Sequence, residues 1–192
     1  MSYFWRLLYV GSGSPERLTL MTKLPLQLCE WGCILACFML MSKNRTLFCI
    51  CYYICLSFGI IPLLTPAVIS TTGPAYYRYY QFWGEHCLPI FFVLYMVFVH
   101  GFRPRFKDMA KTLLLLLPLG TLAVIANMNI PGANFLYLSG STAGNSVANI
   151  LPQNLWLRLA VYAVIGFTLF VLVYLPVYFT DKRKQSNLTK TK

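Results

Sequence analysis

Five stretches of this chain are too long, too apolar and too continuous to suit a water-soluble domain. They cover about 24–41, 46–70, 83–101, 112–130 and 155–180. A helix needs roughly 20 apolar residues to cross the hydrocarbon of a bilayer. The runs are continuous rather than alternating, which selects helices over barrel strands. The expectation is an all-α fold, a polytopic transmembrane bundle of about five spanning helices. Composition agrees. Only 11% of the 192 residues are charged and 58% are hydrophobic, where a soluble domain carries about a quarter charged residues.

The links between the runs set the orientation. Lys43 and Arg45 lie in the first, and Arg103, Arg105 and Lys107 in the third, with Lys111 adjoining. Lys182, Arg183, Lys184, Lys190 and Lys192 lie after the last run, whereas the second link has Arg78 alone and the fourth has no charge. Basic links thus alternate with nearly neutral ones, as the positive-inside rule requires. The expected plan is a multi-pass protein of the cell membrane. Residues 1–23 form an extracytoplasmic segment, 24–180 the bundle and 181–192 a basic cytoplasmic tail. Tyr76, Tyr77, Tyr79, Tyr80, Phe82 and Trp83 cluster at the expected outer boundary, and Trp156 opens the fifth run there. The net charge of +11 does not imply nucleic acid, because the basic residues sit between apolar runs and not on a soluble aromatic-studded face.

Ionisable groups inside a span are costly and so informative. The spans hold Glu30 in the first helix, Glu85, His86 and His100 in the third, and Arg158 in the fifth. At a rise of about 1.5 Å per residue, Cys29 and His86 lie roughly 5–8 Å below the outer boundary. Gln27, Glu30, Asn127 and Asn129 reach the same level. A thiol beside an imidazole can be deprotonated, and the thiolate is a nucleophile. Glu30 or Glu85 would orient the ring, and asparagine amides would donate to a developing oxyanion. That set suits acyl transfer to or from a lipid ester. The residues also fit a plainer reading. Glu30 and Glu85 would be solvated near headgroups, His86 would bond a backbone carbonyl, and Cys29 would pack with Cys33 and Cys37 at helical spacing. His100 and Asp108 read as interfacial.

The seven cysteines form no CxxC pair and there are only two histidines. Most of the cysteines read as small apolar side chains. No metal site and no cofactor is expected. Prolines at 62, 66, 89, 118 and 176 remove backbone donors and should kink the helices that hold them.

The segment Leu24-Pro25-Leu26-Gln27-Leu28-Cys29-Glu30 resembles the LPLHLCD signature of the YwaF-type bacterial integral membrane proteins. The resemblance continues through Leu64-Thr65-Pro66, Tyr80-Gln81-Phe82-Trp83-Gly84-Glu85-His86, Arg103-Pro104 and Asn127. It extends over Gly132-Ala133-Asn134-Phe135-Leu136-Tyr137-Leu138, Leu151-Pro152 and Leu175-Pro176. Those relatives have seven helices. They are distantly similar to a eukaryotic transmembrane acyltransferase that remodels ether phospholipids, and share a plan with membrane fatty-acid-ester hydrolases. The resemblance implies a nucleophile at Cys29 and a base at His86, with Gln27, Glu30, Glu85, Asn127, Asn129 and Asn134 as the supporting polar layer. Gln27 stands where the signature has His. The similarity begins near Leu24, so the chain is expected to lack the family's first two helices. Two functions follow as expectations. One is a lipid acyltransferase or lipid-ester hydrolase acting on an acyl-lipid substrate. The other is a non-enzymatic protein that binds lipid or a small solute, or serves in a membrane complex.

Overall fold

A computed structural model describes residues 25–66, 73–130, 133–140 and 150–190. The first 23 residues lie outside them. All regular elements among the described residues are helical. The order is α1 (Leu28–Ser42), α2 (Arg45–Ser57), α3 (Ile60–Leu64), α4 (Tyr77–Phe98), α5 (Asp108–Asn129), one 3₁₀ turn (Phe135–Tyr137) and α6 (Leu155–Lys190). Among the described residues, four stretches are long and apolar enough to cross a membrane: Arg45–Leu64, Tyr79–Phe98, Asp108–Asn129 and Leu155–Lys182. The fifth apolar helix, α1, is shorter, with 15 residues. Two elements run beyond the apolar runs that announce them. α4 starts within the tyrosine cluster, and α6 carries on through the basic segment after Thr180. Hydropathy ends there, but Pro176 is the last residue that breaks helices, and the segment after it has neither Pro nor Gly.

A two-residue turn joins α1 to α2. Lys43 takes the left-handed conformation (φ 49°, ψ 31°) and its N–H closes on the Met39 carbonyl. Asn44 then caps α2, its Oδ1 accepting from the N–H groups of Thr46 (2.8 Å) and Leu47 (3.2 Å). Asparagine is among the preferred residues there because its short amide reaches the orphan donors of a first turn.

α2 is the hub. Phe48 through Cys55 are all buried, as is Ser57. The helix packs against α1, α4, α5 and α6. Small side chains permit this: Gly32 of α1 faces the Cys55 thiol of α2. Val93 and Met96 of α4, Met109 of α5, and Phe170 and Val177 of α6 complete the core around it. The phenols of Tyr52 and Tyr53 bury their rings and donate to the carbonyls of Val173 (2.8 Å) and Arg105 (3.1 Å). Outward, Phe91, Phe98, Leu114, Leu117, Met128, Val164 and Phe167 are exposed. So much exposed apolar surface on every peripheral helix is what a lipid-facing bundle presents.

Gly59 sits at the break between α2 and α3. A Cβ there would stand 2.4 Å from the Cys55 carbonyl oxygen, so only glycine fits. The break follows from Pro62, whose ring would clash with the carbonyl of Phe58 four residues earlier in an unbroken helix.

Candidate functional site

Pro89 organises the first half of the site. It lies inside α4 and has no N–H for the carbonyl four residues back. That carbonyl is Glu85's. In a bilayer an unpaired carbonyl must find another donor, and the Cys33 thiol supplies it at 3.1 Å. This bond pins α1 to α4. The two helices run in the same direction, with one crossing between them. Cys29 lies one turn before Cys33, with Glu85 and Glu30 as its charge neighbours.

His86 follows Glu85 and is buried. Its Nδ1 lies 2.8 Å from the Phe82 carbonyl, and its ring lies 4.5 Å from the Phe82 ring. A carbonyl can only accept, so Nδ1 carries the proton. In the neutral ring Nε2 then holds a lone pair. The Phe82 carbonyl therefore orients the imidazole. Glu85 is engaged elsewhere, its Oε1 accepting from Gln81 Nε2 at 2.8 Å. The indole N–H groups of Trp31 and Trp83 are buried without an acceptor among the described residues.

The amide side chains fall in a second group, which holds a loop. Asn127 bonds both backbone groups of Phe135, donating to its carbonyl (3.0 Å) and accepting from its N–H (2.7 Å). Gln27 Oε1 accepts from the Leu136 N–H at 3.3 Å. Asn134 accepts from the Ser139 N–H (2.9 Å) and donates to the Gly140 carbonyl (3.4 Å). Asn129 is exposed and bonds the Ile125 carbonyl of its own helix at 2.7 Å. The expected single polar layer is thus two clusters, with Gln27 reaching from the start of α1 to the loop. The amides expected to donate to an oxyanion are committed to backbone instead. The reason is that non-helical backbone at membrane depth needs partners, and this loop is non-helical. Leu136 and Tyr137 sit at φ 52° and 54°, a conformation that non-glycine residues seldom hold unless surrounding bonds impose it.

Arg158 completes the clamp. It has no exposed surface. Its Nε donates to the Pro152 carbonyl (2.7 Å), Nη2 to that of Leu151 (3.2 Å), and Nη1 to those of Tyr137 and Gly140. Ala133, Phe135 and Leu138 pack with Ala123 beneath it as a second small core.

Two residues were not foreseen in these roles. Cys33 was read as packing, although Pro89 marks the carbonyl it serves. Arg158 reads from the sequence only as a charge in the fifth span. Its signal was that the fourth link offers no carboxylate, so carbonyls were the acceptors left. Asp108, read as interfacial, is at a helix end but buried. It accepts from the Cys49 thiol (3.1 Å) and the Arg105 N–H (2.9 Å), and pairs with Lys111 (3.1 Å) and Arg45 (3.5 Å). No group of three or more His, Cys, Asp or Glu side chains among the described residues is arranged to hold a metal ion.

Surface cavities among the described residues include two beside the bundle. A groove of about 310 Å³ is lined by Leu40, Lys43, Phe91, Phe92, Tyr95 and His100. A smaller one of about 140 Å³ lies beside Asn127, Ser139 and Gln153. Neither is lined by Cys29 or His86.

No curated protein and no solved structure matches this chain. A family model does match it, the TMEM164 family, over residues 2–175. That match shows a TMEM164-type membrane family and does not single out the YwaF-type proteins that the short motifs resemble. The match also starts ahead of Leu24, where the resemblance begins. Nearly the whole chain is covered, and the helices long and apolar enough to span a bilayer agree with it: this is a membrane protein belonging to the TMEM164 family.

Proposed function

We propose that the chain is a membrane-embedded lipid acyltransferase or lipid-ester hydrolase, with Cys29 as nucleophile and His86 as base. The observation that carries the reading is the bond from Cys33 to the Glu85 carbonyl. It fixes the turn of α1 that follows Cys29 against the turn of α4 that holds His86. His86 suits the role because its Nδ1 is held by backbone, which leaves Nε2 to accept a proton. In the first step the Cys29 sulfur bonds to the ester carbonyl carbon and its proton passes to His86 Nε2. The ester C–O bond breaks, and the leaving alkoxide takes that proton. An acceptor hydroxyl, or water, then attacks the thioester and releases the thiol.

The test is acylation with a phospholipid carrying an alkyne-tagged acyl chain. Wild type is expected to gain a hydroxylamine-sensitive adduct, and Cys29→Ser to lose it. His86→Ala should slow its formation by about 10²–10⁴-fold. Cys87→Ser, at an exposed thiol, should leave it unchanged. An adduct at wild-type level in Cys29→Ser overturns the assignment. A second reading rests on the two buried indole donors of Trp31 and Trp83, which suit a bound polar ligand without chemistry. On that reading the purified protein retains a lipid or solute whatever stands at position 29.

The same proposal sets the basic end of the bundle in the cytoplasm of a cell-membrane protein. Its support is that Lys43, Arg45, Arg103, Arg105, Lys107 and Lys111 belong to the two links at that end. Protease added outside intact cells should spare an epitope fused after Lys192 and cut it once the cells are permeabilised. Cleavage in intact cells would reverse the orientation.

A further inference from the structure

The groove at the basic end has a lining of mixed chemistry: Leu40, Phe91, Phe92 and Tyr95 stand beside Lys43 and His100. Lys43 is exposed, and its backbone is fixed by the turn that ends α1. Its ammonium has no carboxylate partner, and the His100 ring nitrogens have no hydrogen-bond partner, among the described residues. His100 is instead held by its ring, edge-on to Tyr95 at 5.3 Å. Asp108 is the one carboxylate in the two basic links, and Arg45 and Lys111 already engage it. The groove therefore presents unneutralised donors beside aromatic side chains, just past the last turns of α1 and α4.

We propose that this groove seats one anionic phospholipid from the leaflet at the basic end. The phosphodiester lies between Lys43 and His100, and the upper part of one acyl chain lies along Phe91, Phe92 and Tyr95. A volume of about 310 Å³ is at the small end of ligand sites, which run to about 1,000 Å³. It holds a phosphate and the first carbons of a chain, the remainder staying in the bilayer. The seat is separate from the proposed chemistry. Lys43 is 14 residues beyond Cys29, and His100 is 14 beyond His86, a displacement of about 21 Å along a helix. It therefore does not depend on the acyl-transfer reading.

The experiment is native mass spectrometry of the full chain titrated with phosphatidylglycerol or with phosphatidylcholine of identical acyl chains. Wild type should retain one phosphatidylglycerol in clear preference to phosphatidylcholine. Removing the Lys43 charge should weaken that retention about five-fold, and Lys43→Gln/His100→Gln, which also takes away the ring donor, should nearly erase the preference. Both side chains lie at the surface of the helix ends, so the variant should fold, and retention of a melting transition checks that it does. Lys107→Gln removes a cation at the same end but outside the groove, and should keep the preference. Equal retention of the two lipids by wild type overturns the proposal. So does a loss in Lys107→Gln as large as in the double variant, which would mean a diffuse basic rim and no seat.

Discussion

Replacing Arg158 with methionine is expected to destabilise the fold by about 3–5 kcal/mol, the cost of stranding the carbonyls that its guanidinium serves. Methionine fills the volume but brings no donors. Four carbonyls, those of Tyr137, Gly140, Leu151 and Pro152, then lose the partner they share, though that of Gly140 still accepts from Asn134. A buried acceptor left unpaired costs about 1–3 kcal/mol, and relief of the guanidinium's own desolvation offsets part of the sum. The buried thiols of Cys49, Cys51 and Cys55 offer the readout, since a thiol-reactive dye labels them only as the bundle opens. A transition lowered by about 10 °C is expected for a chain of this size. Arg158→Lys keeps the charge but not the fork, and should fall between. A methionine variant melting within about 2 °C of wild type would show that water already serves those carbonyls, because the penalty applies only to groups hidden from it.

Asp108→Ala should have the second largest effect, about 3 kcal/mol, at the opposite end of the bundle. The carboxylate is buried and gathers four groups: the Cys49 thiol of α2, the Arg105 N–H, Arg45 at the start of α2 and Lys111 of α5. Its loss strands a buried thiol and a backbone donor and leaves two cations facing each other. The partners are not equivalent to it. The side chains of Arg45 and Lys111 are 45% and 53% exposed, and water screens their share. Arg45→Gln and Lys111→Gln should each lower stability by less than about 1 kcal/mol. The same thiol-labelling melt separates the cases. Equal losses in all three would mean that the charge pairs, and not the buried hydrogen bonds, hold this corner.

What could be read from the chain depended on range. The spans were legible because each is a local property of about twenty neighbouring residues, and the link charges alternated along the sequence. The roles of individual polar residues were not. Depth along a span does not say what an amide faces, and Asn127 and Gln27 both face a loop eight or more positions away. Cys33 needed two facts at once: that Pro89 frees the Glu85 carbonyl, and that α1 is the neighbour able to satisfy it. The first is written in the sequence, and the second exists only after packing. Asp108 was read as an interfacial residue because its neighbours in sequence are basic. The buried thiol that it accepts from, Cys49, lies 59 positions earlier.

The shortness of α1 has a consequence for the surrounding bilayer. Ile34, Phe38 and Met41 of this helix are exposed, so one face of it is a wall against lipid. Its 15 residues rise about 22 Å, against a hydrocarbon slab of about 30 Å. α4 and α5, with 22 residues each, rise about 33 Å. The membrane thus meets walls of unequal height on one protein. Lipids along α1 thin or tilt to meet it, at fractions of a kcal/mol for each ångström of mismatch. That deformation is smallest in thin bilayers, so one helix gives the whole molecule a preference among membranes by thickness.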